Sequence, residues 1–162
     1  MRRSVITVAA LAVGLLPAAS AAAAHSRAAC TEGMSKINGV QVRTFCGPAR
    51  ATVAIGGRGY AFTQGSCTRT ADYFSINIGA TEIGASNPTK PYFGIFVGRM
   101  PGTSLPRAGR DGVYANAVIG FHSGAMRASV KGTLKLTNGR SKGTFTGSLI
   151  LKSGAASGSF SC

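Results

Sequence analysis

The chain has no tryptophan, and its 162 residues include only four acids against 18 Lys plus Arg, a formal net charge of +14. So few acids exclude an acidic solvating tail. With charged residues at 14%, a coiled coil is excluded too, because it needs charge-rich heptads. The acids Glu32, Asp72, Glu82 and Asp111 are scattered, which disfavours two-carboxylate glycoside hydrolysis. No C-x-x-C pair offers a zinc knuckle. There is no G-x-S-x-G elbow and no Gly-rich strand-to-helix turn for a phosphate. Helix-period segments are missing as well. General disorder is excluded by a hydrophobic content of 44%. The length suits one domain.

The N-terminus carries Arg2 and Arg3, an apolar run from Val5 to Leu16, then Pro17 and small residues to Ala24. That order matches a secretory signal peptide over residues 1–24, with Ala19-Ser20-Ala21 and Ala22-Ala23-Ala24 as cleavage triplets. The run is shorter than the ~20 residues a membrane span requires. Lipidation at Cys30 is disfavoured, because Arg27-Ala28-Ala29 precedes it where an aliphatic residue is needed. Residues 25–162 are expected to form a single secreted β domain, released from the membrane.

The cysteines are Cys30, Cys46, Cys67 and Cys162. An even count in a secreted chain predicts two disulfides, and four Cys allow three connectivities. Position favours Cys30–Cys46 around the turn Asn38-Gly39, leaving Cys67–Cys162 to staple the last strand. A Cys46–Cys67 link around the Gly56-Gly57 hairpin is the competing pattern.

From residue 40 onward the pattern has period two. Residues 40–45, 51–55, 58–62, 73–78, 92–97, 113–121, 129–137, 143–151 and 156–162 read as strands, punctuated at roughly ten-residue intervals by turn residues. Gly56-Gly57 and Asn138-Gly139 supply hairpin turns. Val130, Gly132, Leu134 and Leu136 share a face; so do Phe74, Ile76 and Ile78, and Phe93, Ile95 and Val97. Phe145, Gly147, Leu149 and Leu151 share another. Eight or nine short strands predict an all-β fold, an antiparallel sandwich or barrel.

Cys67, the strand Phe74-Ser-Ile-Asn-Ile-Gly79 and the closing Phe160-Ser161-Cys162 resemble the layout of the mycobacterial 19-kilodalton lipoprotein antigen family. The resemblance covers residues 67–162. It implies a small envelope-associated or secreted antigen-like β module, and it implies the Cys67–Cys162 pairing. It carries no catalytic residue. The lipobox is absent here, so anchoring is not implied, and the Cys30, Cys46 pair and the basic charge depart from the family.

His122-Ser123-Gly124 reads as a turn after residues 113–121, which puts His122 on the surface at a strand end. No metal, cofactor or catalytic residue is expected. The prominent chemistry is cationic. Arg99, Arg107 and Arg110 flank a Pro/Gly loop, and Arg127, Lys131, Lys135, Arg140, Lys142 and Lys152 cluster at the last hairpin. The set Arg127, Lys131, Lys135, Arg140 and Lys142 is the candidate site for polyanions such as an anionic envelope polymer or acidic polysaccharide. Nucleic acid is disfavoured by secretion. The expected protein is thus a monomeric, non-catalytic module, secreted or cell-wall associated. The alternative is a carrier of a lipid or small apolar ligand. Tyr73, Tyr92 and Phe96, on the parity opposite the core residues, would line a groove or pack on a second sheet.

Overall fold

The computed structural model describes residues 30–162; the expected signal peptide and cleavage point lie outside them. The described chain is all-β. Its strands are β1 (Gly33–Ile37), β2 (Val40–Phe45), β3 (Arg50–Ile55), β4 (Arg58–Thr63), β5 (Gly65–Arg69), β6 (Tyr73–Ile83), β7 (Tyr92–Gly98), β8 (Gly112–Ser123), β9 (Met126–Thr137), β10 (Lys142–Leu149) and β11 (Ala155–Ser161). They form one antiparallel sheet in the order β1-β2-β6-β7-β8-β9-β10-β11-β3-β4, with β5 added to β6.

The hairpin turns follow from local chemistry. Gly56 and Gly57 both have positive φ, as do Asn38 and Gly39, the backbone of a primed two-residue turn. Asn138, Gly139 and Arg140 are also left-handed, so the β9–β10 turn is longer, spanning residues 138–141. β8 and β9 join through Gly124-Ala125, so His122 is the penultimate residue of β8, at a strand end but paired in the ladder and not in the turn.

Alternation puts one apolar face inside. The sheet curls until rings from strands distant in order meet: Phe62 of β4 lies 5.5 Å from Phe93 of β7 and 6.1 Å from Phe121 of β8. Phe93 lies 6.0 Å from Phe145 of β10, and Phe74 stacks 5.3 Å from Phe160 of β11. β4 faces β6, but no ladder joins them, so the sheet is not closed into a barrel. No second sheet covers the outer face among the described residues.

Nine of the eleven strands coincide with expected segments. β1 and β5 were not expected: every residue of β1 is exposed, so no alternation marks it. β10 stops at Leu149, and Leu151 leaves the inward register to stand 88% exposed. In β8 a register shift between Tyr114 and Ala117, with Asn116 at positive φ, turns Val113 and Val118 outward.

Both disulfides are the expected ones. Cys30–Cys46 ties the start of the described chain to the end of β2, and Cys67–Cys162 ties β5 to the residue after β11. No helix among the described residues is long and apolar enough to cross a membrane.

Candidate functional site

Strands β9, β10, β11 and β3 present their solvent side as one face. Inward parity belongs to Val130, Leu134, Leu136, Phe145, Ala156, Phe160, Ala51 and Val53, all buried. The alternate residues therefore point outward, in rows set by the register. Lys135 pairs with Thr144, which pairs with Ser159, which pairs with Thr52. Thr133, Thr146, Ser157 and Ala54 form the next row. Lys142, Ser161 and Arg50 form the row on the other side, and Lys131 pairs with Ser148. Neighbouring strands are about 4.8 Å apart, so each row is a continuous line of side chains. Thr52 and Ser159 hydroxyls lie 3.1 Å apart across two of these strands.

Small side chains leave a shallow trough of ≈ 590 Å³ along this face, bordered by Thr52, Ala61, Thr144, Thr146, Ser157 and Ser159. The four acids lie elsewhere. Glu32 precedes β1, and Asp72 precedes β6, where it pairs with Arg107 at 2.9 Å. Glu82 accepts from the Thr89 and Lys90 amides, and Asp111 accepts from those of Gly139 and Arg140. The carboxyl of Glu82 is held below its usual range mainly by the Lys90 amide.

The expected cationic set divides in two. Lys131, Lys135 and Lys142 stand exposed on the face. Arg127 and Arg140 serve the fold. The Arg127 guanidinium donates to the carbonyls of Ser86 (2.8 Å) and Pro88 (3.5 Å) and to Asn87 Oδ1 (3.4 Å), holding the β6–β7 loop. Arg140 is half-buried and donates to the carbonyls of Thr70 (2.7 Å) and Ala108 (3.1 Å), joining the β5–β6 turn, the loop before β8 and the β9–β10 turn. Both roles depend on contacts more than thirty residues away, which the hairpin sequence does not announce. Arg50 joins the face from β3, an addition visible only once β11 is seen to lie between β10 and β3.

A second concavity lies beyond the far end of β9. Tyr92, Gly120, Phe121, His122, Arg127, Ala128, Ser129, Leu149, Leu151 and Lys152 surround a cleft of ≈ 500 Å³. His122 is only 8% exposed, which corrects its expected surface position. Tyr92 lies beside it, ring centroids 6.0 Å apart. Burial, and next the charge of Arg127, hold the imidazole below its ordinary value of 6.5, against an opposing pull from Glu82. Asp111 is engaged by the β9–β10 turn and makes no dyad with His122. Tyr92 donates to Asn77 Oδ1 at 2.7 Å, and burial raises its phenol pKa. Tyr73 and Phe96 stack on one another at 5.5 Å on the outer face. Of Tyr73, Tyr92 and Phe96, expected to line a groove or to pack on a second sheet, only Tyr92 lines this cleft, and no second sheet covers them among the described residues.

No protein-family model, no curated protein and no solved structure matches the chain.

Proposed function

We propose that the protein is a non-catalytic secreted module that binds an anionic polymer of the cell envelope along the outer face of β9, β10, β11 and β3. One observation carries this reading. Lys131, Lys135, Lys142 and Arg50 stand among rows of Thr and Ser hydroxyls that border a shallow trough, and all four acids are absent from these rows. A polyanion laid across the rows meets ammonium and guanidinium groups at its charges and hydroxyl donors between them. The full sequence carries a net +14, and losing Arg2 and Arg3 with residues 1–24 leaves 16 basic against 4 acidic residues, a net of +12 that steers such a partner from a distance. Two disulfides support an oxidising compartment. The likeness to the 19-kilodalton antigen family belongs to the same reading.

The test is retention on isolated anionic wall polymer, from low to moderate salt. Lys131→Glu with Lys135→Glu should weaken retention and leave the melting temperature unchanged, because exposed substitutions usually alter stability by no more than about 0.5 kcal/mol. Retention should fall steeply with salt, since screening shortens the reach of exposed charge to about 8 Å at physiological ionic strength. Equal retention of both proteins would reject this face. Absence of retention at low salt would reject polyanion binding.

A further inference from the structure

The cleft beside His122 has a glycine on its wall that the fold does not require. Gly120 lies in the interior of β8, in regular register between Gly94 of β7 and Ser129 of β9, with no bulge at that point. Its φ is not positive, and a Cβ built on it would meet nothing within 4 Å. A strand interior disfavours glycine, and where one persists it usually marks a bulge, a bend or the close approach of another group. Gly94 shows the contrast: a Cβ there would strike the Tyr92 side chain, which lies over it. At Gly120 the space belongs to the cleft itself.

Three further observations bear on what enters. First, His122 is 8% exposed, and its Nδ1 is sealed from solvent with no hydrogen-bond partner. Buried polar atoms are ordinarily partnered, so His122 carries an unmet hydrogen-bonding capacity beside the cleft, which a small turn of the ring would present to an occupant. Second, apart from Ser129 the remaining lining is apolar: Phe121, Ala128 and Leu149, which also pack on the core, and Tyr92 and Leu151, which stand clear of it. Leu151 is 88% exposed and its neighbour Ile150 54%, although the Ile150 amide donates to the Ser129 carbonyl at 2.9 Å and fixes this segment beside β9. Third, the rim is cationic. Lys152 and Arg127 both line the cleft, and the nearest acid, Glu82, is occupied by the β6–β7 loop. A volume of ≈ 500 Å³ falls within the usual range of small-molecule sites.

From these we infer that the cleft binds a single-chain amphiphile with an anionic head, the fatty-acid class. Its chain lies over Gly120 between Tyr92, Leu149 and Leu151, and its carboxylate sits at the Lys152 rim near His122. The site is separate from the polymer-binding face and stands or falls independently of it.

The test is calorimetric titration of the full secreted chain with decanoate, below its micelle range, alongside decanol. Saturable one-to-one binding of decanoate is expected. Decanol, or Lys152→Glu with decanoate, should bind about tenfold more weakly, the worth of roughly 1.4 kcal/mol. Gly120→Leu fills the cleft and should abolish binding with no fall in melting temperature. Leu151→Ser, at a side chain too exposed to affect the core, should weaken binding whatever Gly120→Leu does to stability. A bound carboxylate should also raise the His122 pKa, read by imidazole NMR titration, where Tyr92, Arg127 and Glu82 are the groups acting on that ring and Lys152 lines the same cleft; decanol should not. Absence of saturable decanoate binding overturns the proposal. So does binding that survives both Gly120→Leu and Leu151→Ser. Attachment to anionic phospholipid vesicles that Gly120→Leu leaves unchanged, without decanoate binding, would assign the exposed Ile150-Leu151 segment to a membrane surface instead.

Discussion

Gly120 and Gly158 are both strand-interior glycines, but for opposite reasons. A Cβ on Gly158 would run into the Thr52 carbonyl and the Phe145 ring, so the β10–β11–β3 interior closes only because nothing is there. Gly158→Ala should therefore destabilise by about 1–3 kcal/mol, the usual cost of overpacking. Gly120→Ala meets only open space and should be neutral or stabilising, since Ala restricts the unfolded chain more than Gly does. Denaturant midpoints of the two variants check this; a Gly120→Ala loss matching that of Gly158→Ala would show that Gly120 is structural. His122 adds a pH dependence. Its imidazole is depressed in the fold, by burial first and Arg127 second. The unfolded chain therefore binds the proton more readily, and stability is full above the unfolded value of 6.5 and declines as pH falls below it. Glu82, whose pKa is also lowered, takes effect only further down, below its ordinary 4.5. The denaturation midpoint should be lower at about pH 5.5 than at about pH 7.5, and His122→Phe should flatten that difference. An undiminished slope in the variant would assign the dependence to another group.

At the scale of elements, what the sequence makes legible depends on how local the cause is. Phe74, Ile76 and Ile78 in β6, like Val130, Leu134 and Leu136 in β9, alternate because one face is buried, and their strands can be read directly. β1 cannot, because it pairs only with β2 at the sheet edge and buries nothing. β8 is legible in existence but not in phase, because the shift at Asn116 exchanges its faces midway. The candidate site divides in the same way. Lys131 and Lys135 follow from period two alone. The withdrawal of Arg127 and Arg140 depends on carbonyls of distant loops, and the recruitment of Arg50 depends on strand order. The two disulfides also act at this scale. Cys30–Cys46 spans a sequence separation of 16, and Cys67–Cys162 one of 95. In the chain-entropy model these are worth about 3.1 and about 4.7 kcal/mol, so replacing the second pair by Ser should cost the more by about 1.6 kcal/mol. Guanidinium titrations of the two double variants give the comparison. The opposite ranking would mean that native-state relaxation, not loop entropy, governs the loss.

At the scale of the whole molecule, β11 joins two parts that are far apart in sequence. The sheet runs β10-β11-β3-β4, so the last strand connects the late meander β6 to β10 with the early hairpin β3–β4. It contributes Ala156 and Phe160 to the core, and Phe160 stacks on Phe74 from the other side of the interior. Cys162 then fixes its end to β5. A sheet whose closing pairs are so distant must assemble its non-local contacts late, and such folds are slow relative to helical bundles of similar stability. Deleting residues 155–162 should therefore do more than remove a disulfide. Without β11 the inner faces of β3 and β4 have no neighbour on one side, and an isolated two-stranded hairpin is at best marginally stable in water. The truncated chain should lose its cooperative thermal transition. Cys162→Ser, which keeps the strand and loses only the staple, should retain a cooperative transition at lower temperature. Circular dichroism melts of the two variants separate pairing from cross-linking. If both melted cooperatively at similar temperatures, β11 would be dispensable, and the β3–β4 hairpin would have to be held by packing across the interior against β6, β7 and β8.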